Sequence, residues 1–148
     1  MKRLTSQIAT SPNQAKYLIT LGISPETADF RYESWNEFND GSGKWSKPKL
    51  NIGFNPESSA FMGTCTNVIE TPAWSLSQIL HLLPKWVTNP TVDLILNIDF
   101  SFDISYRWRD NRDISNYVTF DKGDIFINAC DALEWVIQQG FFNKGYLA

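Results

Sequence analysis

The amino-acid sequence predicts an α+β fold: an antiparallel sheet of about four to five strands with helices packed on one face, in the rough order α-α-β-β-α-β-β-α. Three observations lead there. Ser11-Pro12-Asn13-Gln14 is a strong helix start. From Leu94 to Trp108 every even position is apolar or aromatic, the period of a strand buried on one face. Residues 129–139 carry apolar side chains at helical spacing.

The first helix follows from its caps. Ser11 is the N-cap, Pro12 suits the first turn, and Gln14 completes a capping box. Ala15, Leu18 and Ile19 follow at helical spacing, and Gly22 can take the left-handed C-terminal position, so the helix covers 12–21. Ser24-Pro25-Glu26 repeats the start signal, and a short second helix is expected over 25–29. Phe30 and Tyr32 alternate with Arg31 and Glu33, which favours a strand over 30–35, although Ala28, Tyr32 and Trp35 also fit a helix face. Asn39-Asp40-Gly41-Ser42-Gly43 is a loop. Leu50, Ile52 and Phe54 mark a strand able to pair with 30–35 as a hairpin. Residues 55–72 hold Pro56, Pro72, Gly63 and several Ser and Thr, and read as a long surface loop.

Ser75 and Gln78 form a second capping box, with Trp74 placed as a hydrophobic staple. Leu76, Ile79, Leu80 and Leu83 make the stripe of that helix, and Pro84 stops it. The run 94–108 would span about 50 Å if straight, against a radius of gyration of about 15 Å. It must bend. It contains neither Gly nor Pro, so one long strand bulged near Asp99–Ser101 is preferred to two separate strands. Asp110-Asn111-Arg112-Asp113 is a turn, Ile114 to Phe120 a strand, and Asp121-Lys122-Gly123-Asp124 its end. Asn128 is expected to cap the last helix, whose apolar side is Ala129, Cys130, Leu133, Val136 and Ile137. Gly140 closes it, and Phe141 and Phe142 can fold back onto the core.

The chain of 148 residues has the size of a single domain, 1–148, with residues 1–10 expected to be flexible. Six Trp, five Tyr and ten Phe supply bulky anchors for a core and for interfaces. The net charge of −3 argues against a nucleic-acid footprint spread over the whole domain. The opening MKRLTSQIATSP lacks the apolar core of a signal peptide, and no stretch approaches the ~18 apolar residues of a spanning helix. A cytoplasmic protein with no membrane contact is expected.

Little catalytic chemistry is visible. There is no phosphate-binding Gly-Lys loop, no G-x-G-x-x-G, no G-x-S-x-G and no H-E-x-x-H. His81 is the one histidine, and it points away from its helix stripe. Cys65 and Cys130 have neither metal-pair nor disulfide-framework spacing; Cys130 reads as a buried hydrophobe and Cys65 as a more exposed thiol. No metal and no cofactor are expected. Asp99 and Asp103 would lie about 13 Å apart on one extended strand, too far for a carboxylate dyad unless the bend falls between them. The row Asp99, Ser101, Asp103, Ser105, Arg107 therefore reads as the solvated side of a sheet. Asp131 and Glu134 sit one turn apart near a helix start, where the dipole favours negative charge. Two segments mix basic and aromatic residues: Lys44, Trp45, Lys47 and Lys49, and Arg107, Trp108, Arg109 with Arg112. They are the candidate partner-contact residues, with Trp45 and Trp108 as exposed anchors.

QAKYLITLGISPETADFRY, PAWSLSQILHLLPK and DALEWVIQQGFF together resemble a group of small uncharacterised α+β proteins of Bacteroidales bacteria and their phages or mobile elements. The resemblance covers about a third of the chain, and the middle segment is its most specific part. It implies a cytoplasmic protein of a kind often of mobile-element origin, with no known activity, and supplies no catalytic residues. The leading expectation is thus a small non-enzymatic accessory factor that binds a host or element protein. The alternative is a small-ligand or nucleotide-binding protein or enzyme with a pocket formed by Asp99, Asp103, His81 and Arg107–Arg112. A further alternative is a nucleic-acid binder acting through a local basic-aromatic patch; self-association is left open.

Overall fold

A computed structural model describes residues 7–36, 44–109 and 116–148. The fold is α+β. Its strands form two antiparallel sheets, of three and four strands, rather than one sheet of four to five. The described residues divide into two compact units: residues up to Gln78 together with Ala148, and Ile79–Leu147.

In the first unit, α1 is Pro12–Thr20, and both halves of the Ser11/Gln14 capping box are formed. A single 3-10 turn, Pro25–Thr27, stands where a short helix was expected. β1 (Phe30–Trp35) lies between β2 (Lys49–Ile52) and β3 (Val68–Ala73). The expected long loop over 55–72 is therefore wrong in two places: α2 occupies Ser59–Met62, and β3 pairs with β1 along its whole length. Pro72 disguised that strand. Proline cannot donate to a ladder, but β3 is an edge strand, where that loss is tolerated. Ala9 and Thr10, ahead of α1, are also fastened, since Thr10 N–H donates to Trp74 O at 2.8 Å and Ala9 bridges Ser75. Trp74 is fully buried, and its indole N–H donates to Thr27 Oγ1 at 2.9 Å.

α3 (Leu76–Leu82) runs across the boundary between the units. Ser75 caps it, accepting from Gln78 N–H at 3.1 Å. The reciprocal half of the expected box is absent. Ser75 N–H instead donates to Asp29 at 2.8 Å, and the Gln78 amide donates to Thr27 O at 2.8 Å.

The second unit is built on the sheet β4 (Trp86–Thr88), β5 (Asp93–Ile98), β6 (Ile104–Trp108) and β7 (Asn116–Phe120), in that order. The single bulged strand expected over 94–108 is a hairpin, β5–β6, with Ile98 opposite Ile104. β4 was not anticipated. The expected turn at 110–113 and the start of the next strand at 114–115 lie outside the described residues, as does the loop 39–43. α4 (Ile125–Gln138) starts earlier than expected, because Asp124 and not Asn128 is its N-cap, accepting from Ile127 N–H at 2.9 Å. The helix lies on β6 and β7. Trp135 sits among Tyr106, Tyr117, Phe120 and Phe141, with ring centroids 5.5, 6.1, 6.3 and 5.6 Å away. A register shift between Tyr106 and Arg107 lets Tyr117 reach both Trp108 and Trp135. Among the described residues no helix is long and apolar enough to cross a membrane.

Candidate interaction surface

The β5–β6 hairpin turns through Asp99–Asp103. Phe102 N–H donates to Asp99 O and Asp99 N–H to Asp103 O, both at 3.1 Å. This is the three-residue hairpin form, a type I turn followed by a residue in the left-handed region. Glycine normally fills that place, because any Cβ there crowds the backbone. Here it is Phe102, at φ 63°, the one non-glycine with positive φ among the described residues. Two side chains hold it. Asp99 Oδ1 accepts from Ser101 N–H at 2.8 Å and from Asp103 N–H at 3.2 Å, closing the turn from within. Asn128, fully buried in α4, donates to Phe102 O at 2.9 Å and accepts from Lys122 N–H at 2.8 Å. The residue expected to cap a helix thus clamps the hairpin tip.

The tip is apolar and open. Phe100 is fully exposed (105%) and Phe102 is 59% exposed. Part of the opposing sequence expectation fails here: Phe100 and Phe102 face solvent, while Leu94, Ile104 and Tyr106 of the same even row are buried. Ser105, expected on the wet side, is buried too, a short side chain shaded between its longer cross-strand partners Asn97 and Thr119.

Beside the tip, Trp86, Ile95 and Arg107 are direct cross-strand partners and share one face of the sheet. β4 reaches only as far as Ile95, so Leu96–Ile98 run on past its end, beyond the bond from Leu96 N–H to Lys85 O. The shortfall opens a cleft of about 370 Å³ lined by Lys85, Trp86, Ile95, Leu96 and Ile98. Trp86 is 62% exposed. The Arg109 guanidinium lies over its ring at 5.8 Å, within cation–π range.

The surface has two electrostatic halves. Lys85 and Arg107 are exposed by the cleft, with Arg109 over Trp86. Asp99 and Asp121 surround Asp103 at the tip. Desolvation first, then the charges of Asp99 and Asp121, hold the Asp103 carboxyl above its ordinary value.

The residues singled out from the sequence divide between the two units. Lys44, Trp45, Lys47 and Lys49 belong to the first unit, where Trp45 is exposed and bridges Asn36, and Lys49 pairs with Glu33 across the sheet. Arg107, Trp108 and Arg109 belong to the second; Arg112 lies outside the described residues. Trp108 is not the exposed anchor expected. It is half-buried and packs edge-on against Tyr117 at 5.3 Å. Arg109 is shared between Trp86 and Asp93, the latter at 3.9 Å. Asp99 and Asp103 are brought together by the turn, correcting the 13 Å separation of a straight strand, but Asp99 is engaged in holding that turn. His81 is exposed on α3, and no described cleft includes it with those carboxylates.

A second cleft, of about 520 Å³, lies in the first unit and is lined by Arg31, Gly53, Phe54, Asn55, Ser58, Ser59 and Glu70. Glu33 and Glu70 are cross-strand partners, an arrangement that costs energy without a cation. Arg31 supplies one: Nε donates to Glu33 at 2.6 Å and lies 3.9 Å from Glu70, and Nη1 donates to Ile52 O and Gly53 O. Glu70 accepts no hydrogen bond among the described residues, although its side chain is only 16% exposed.

Sequence reasoning missed Phe100, Phe102, Trp86 and Asn128 as site residues. One signal was present: Ile95 is the lone apolar residue on the polar row, and it lies between Trp86 and Arg107 on the open face. Comparison of the chain with protein-family models, with curated proteins and with solved structures finds no match.

Proposed function

We propose that the chain is a small non-enzymatic interaction protein that binds another protein through the Phe100–Phe102 tip and the adjoining Trp86–Ile95–Ile98 cleft. The observation that carries this reading is a bulky aromatic held at a glycine position with its ring in solvent. Strain of this kind persists where the surroundings enforce it and concentrates at working sites. Asn128 and Asp99 enforce it here. A rigid tip loses little conformational freedom on binding, and exposed aromatics are the usual energetic anchors of interfaces. The setting we propose, an accessory factor of a phage or mobile element acting in the cytoplasm on a host or element protein, rests on the resemblance of the three sequence segments.

The nucleic-acid reading is weaker. Its aromatic on the second unit, Trp108, is packed against Tyr117, and Arg109 is already placed over Trp86. The test of the leading reading is a photo-crosslinking amino acid at position 100 in the full chain, irradiated in bacterial lysate. A discrete adduct that excess unlabelled wild-type protein competes away, and that a Phe100→Ala, Phe102→Gly variant does not, is expected. A smear of adducts insensitive to either competitor refutes tip-directed binding.

One observation favours a second reading. Glu70 lines a cleft with a mostly buried carboxylate that, among the described residues, accepts no hydrogen bond and has only the Arg31 guanidinium, at 3.9 Å, beside it, so the first unit suits a small ligand bearing an ammonium or guanidinium group. Arginine and spermidine should raise the melting temperature of the wild type and not of Glu70→Gln. Equal shifts in both proteins, or none, end that reading.

A further inference from the structure

The interaction surface carries its own complement. The tip is apolar with carboxylates around it: Phe100 and Phe102, with Asp99, Asp103 and Asp121. The cleft is apolar with cations around it: Trp86, Ile95 and Ile98, with Lys85, Arg107 and Arg109, the last also 3.9 Å from Asp93. Each half is what the other would bind. They also share Ile98, which lines the cleft and immediately precedes the turn. They cannot satisfy each other within one hairpin, because the tip extends away from the strand that forms the cleft floor. Between two copies they can.

We infer that, when no other partner is bound, the occupant of the cleft is the Phe100 tip of a second copy of this chain, giving a two-fold dimer. This inference rests on the reading of the tip as a protein-contact site. A two-fold arrangement is the closed form of this contact: under a two-fold rotation the tip of each copy enters the cleft of the other, and the adjacency of the halves lets both contacts form at once. Each carboxylate-rimmed tip then meets a basic rim, which steers the encounter and sets the register. The dimer covers the exposed rings that would otherwise be a liability in solution. A protein partner competes with the second copy for the same tip.

The full chain should therefore show a monomer–dimer equilibrium by sedimentation velocity over a wide concentration range. Truncating an aromatic anchor costs about tenfold in affinity or more. Two equivalent contacts per dimer make the effect of Phe100→Ala about hundredfold in Kd. Phe100 is fully exposed, so this variant should keep the wild-type circular dichroism. Asp121→Lys and Arg107→Glu should each weaken the dimer, and the double variant should recover most of the loss, because each new charge meets its opposite on the other copy. A monomer at every concentration overturns the inference, as does a dimer indifferent to Phe100→Ala, an open-ended series of larger oligomers, or a double variant no better than the singles. Peptides selected from a random displayed library separate this from failure of the underlying reading. If the chain is monomeric but selected peptides still require Phe100, only the self-pairing is wrong; if no selected peptide requires Phe100, the tip itself is not a contact site.

Discussion

Replacing Phe102 tests the central geometric feature of the molecule. A left-handed backbone costs an L-residue roughly 1–2 kcal/mol, and glycine is spared that cost. Glycine in turn loses about 0.4–1 kcal/mol relative to alanine through the greater freedom of its unfolded chain. At position 102 the first term is the larger, so Phe102→Gly should be more stable than Phe102→Ala by close to 1 kcal/mol, about fivefold in the folding equilibrium. That corresponds to roughly 2–4 °C in Tm for a chain of this size. Both variants lose the same partly buried ring, so the packing term cancels in the comparison. Phe100 is the internal control. It is not among the positive-φ residues, and its ring is fully exposed. There alanine should be ahead of glycine by about 0.4–1 kcal/mol. Urea denaturation of the four variants, followed by far-UV circular dichroism, measures both differences. The expected result is a change of sign between two positions separated by one residue. Alanine ahead of glycine at both positions would refute the strained tip, and with it the argument that the strain is kept for a purpose.

Other consequences are open to simpler measurements. Asn128→Ala removes both hydrogen bonds of a buried side chain, to Phe102 O and Lys122 N–H, and should cost about 2 kcal/mol while raising hydrogen exchange at the tip; an unchanged unfolding midpoint would show that the clamp is idle. The folded-state pKa of Asp103 lies above its ordinary value, so the stability it contributes is present below that ordinary value and is lost as pH rises through the elevated one. Asp103→Asn should accordingly be more stable than wild type at neutral pH, and the gap should close on acidification; a gap that widens with acid would contradict the sign. Burial first, then Asp131 and Asp124, push the Cys130 thiol up to about 12, so iodoacetamide at pH 8 should modify Cys65 well before Cys130, as peptide mass mapping would report. Trp135→Ala removes the ring around which four aromatics gather and should cost about 3 kcal/mol or more with loss of near-UV circular dichroism.

Much of the fold is legible in local chemistry. The box at Ser11 and Gln14, the strand at 30–35 and the apolar side of α4 all depend on side chains within a few residues of the backbone they direct. What is hidden depends on distant partners. Gln78 follows the capping-box spacing, yet Thr27 O, 51 residues away, takes its amide, and Asp29 takes the N–H that Gln78 would have accepted. β3 contains a proline and no clean alternation, and is recognisable as a strand only once β1 lies beside it with β3 on the sheet edge. Asn128 and Asp124 both have the chemistry of an N-cap. The choice between them rests on the tertiary bond from Asn128 to Phe102 O, which no window of sequence contains.

The hairpin at 94–108 was concealed for a more exact reason. Five residues connect Ile98 to Ile104, an odd number, so even positions stand opposite even positions: Leu94 faces Trp108, Leu96 faces Tyr106, and Ile98 faces Ile104. Apolar residues therefore keep the same phase on both arms, and the alternation runs through the turn as though the strand had never stopped. An even connection would have broken the phase and exposed the turn. The missing glycine completed the disguise, because the left-handed position is filled by Phe102. Both features have one cause. A hairpin built for stability alone would place glycine at 102 and a polar residue at 100, and its turn would then be plain in the sequence. Aromatic side chains at both places give up that stability and that legibility together, and the side chains gained are two rings in solvent beside a cleft of opposite charge. The turn is hidden in the sequence because exposed aromatic residues stand at 100 and 102, where glycine and polar residues ordinarily mark a turn.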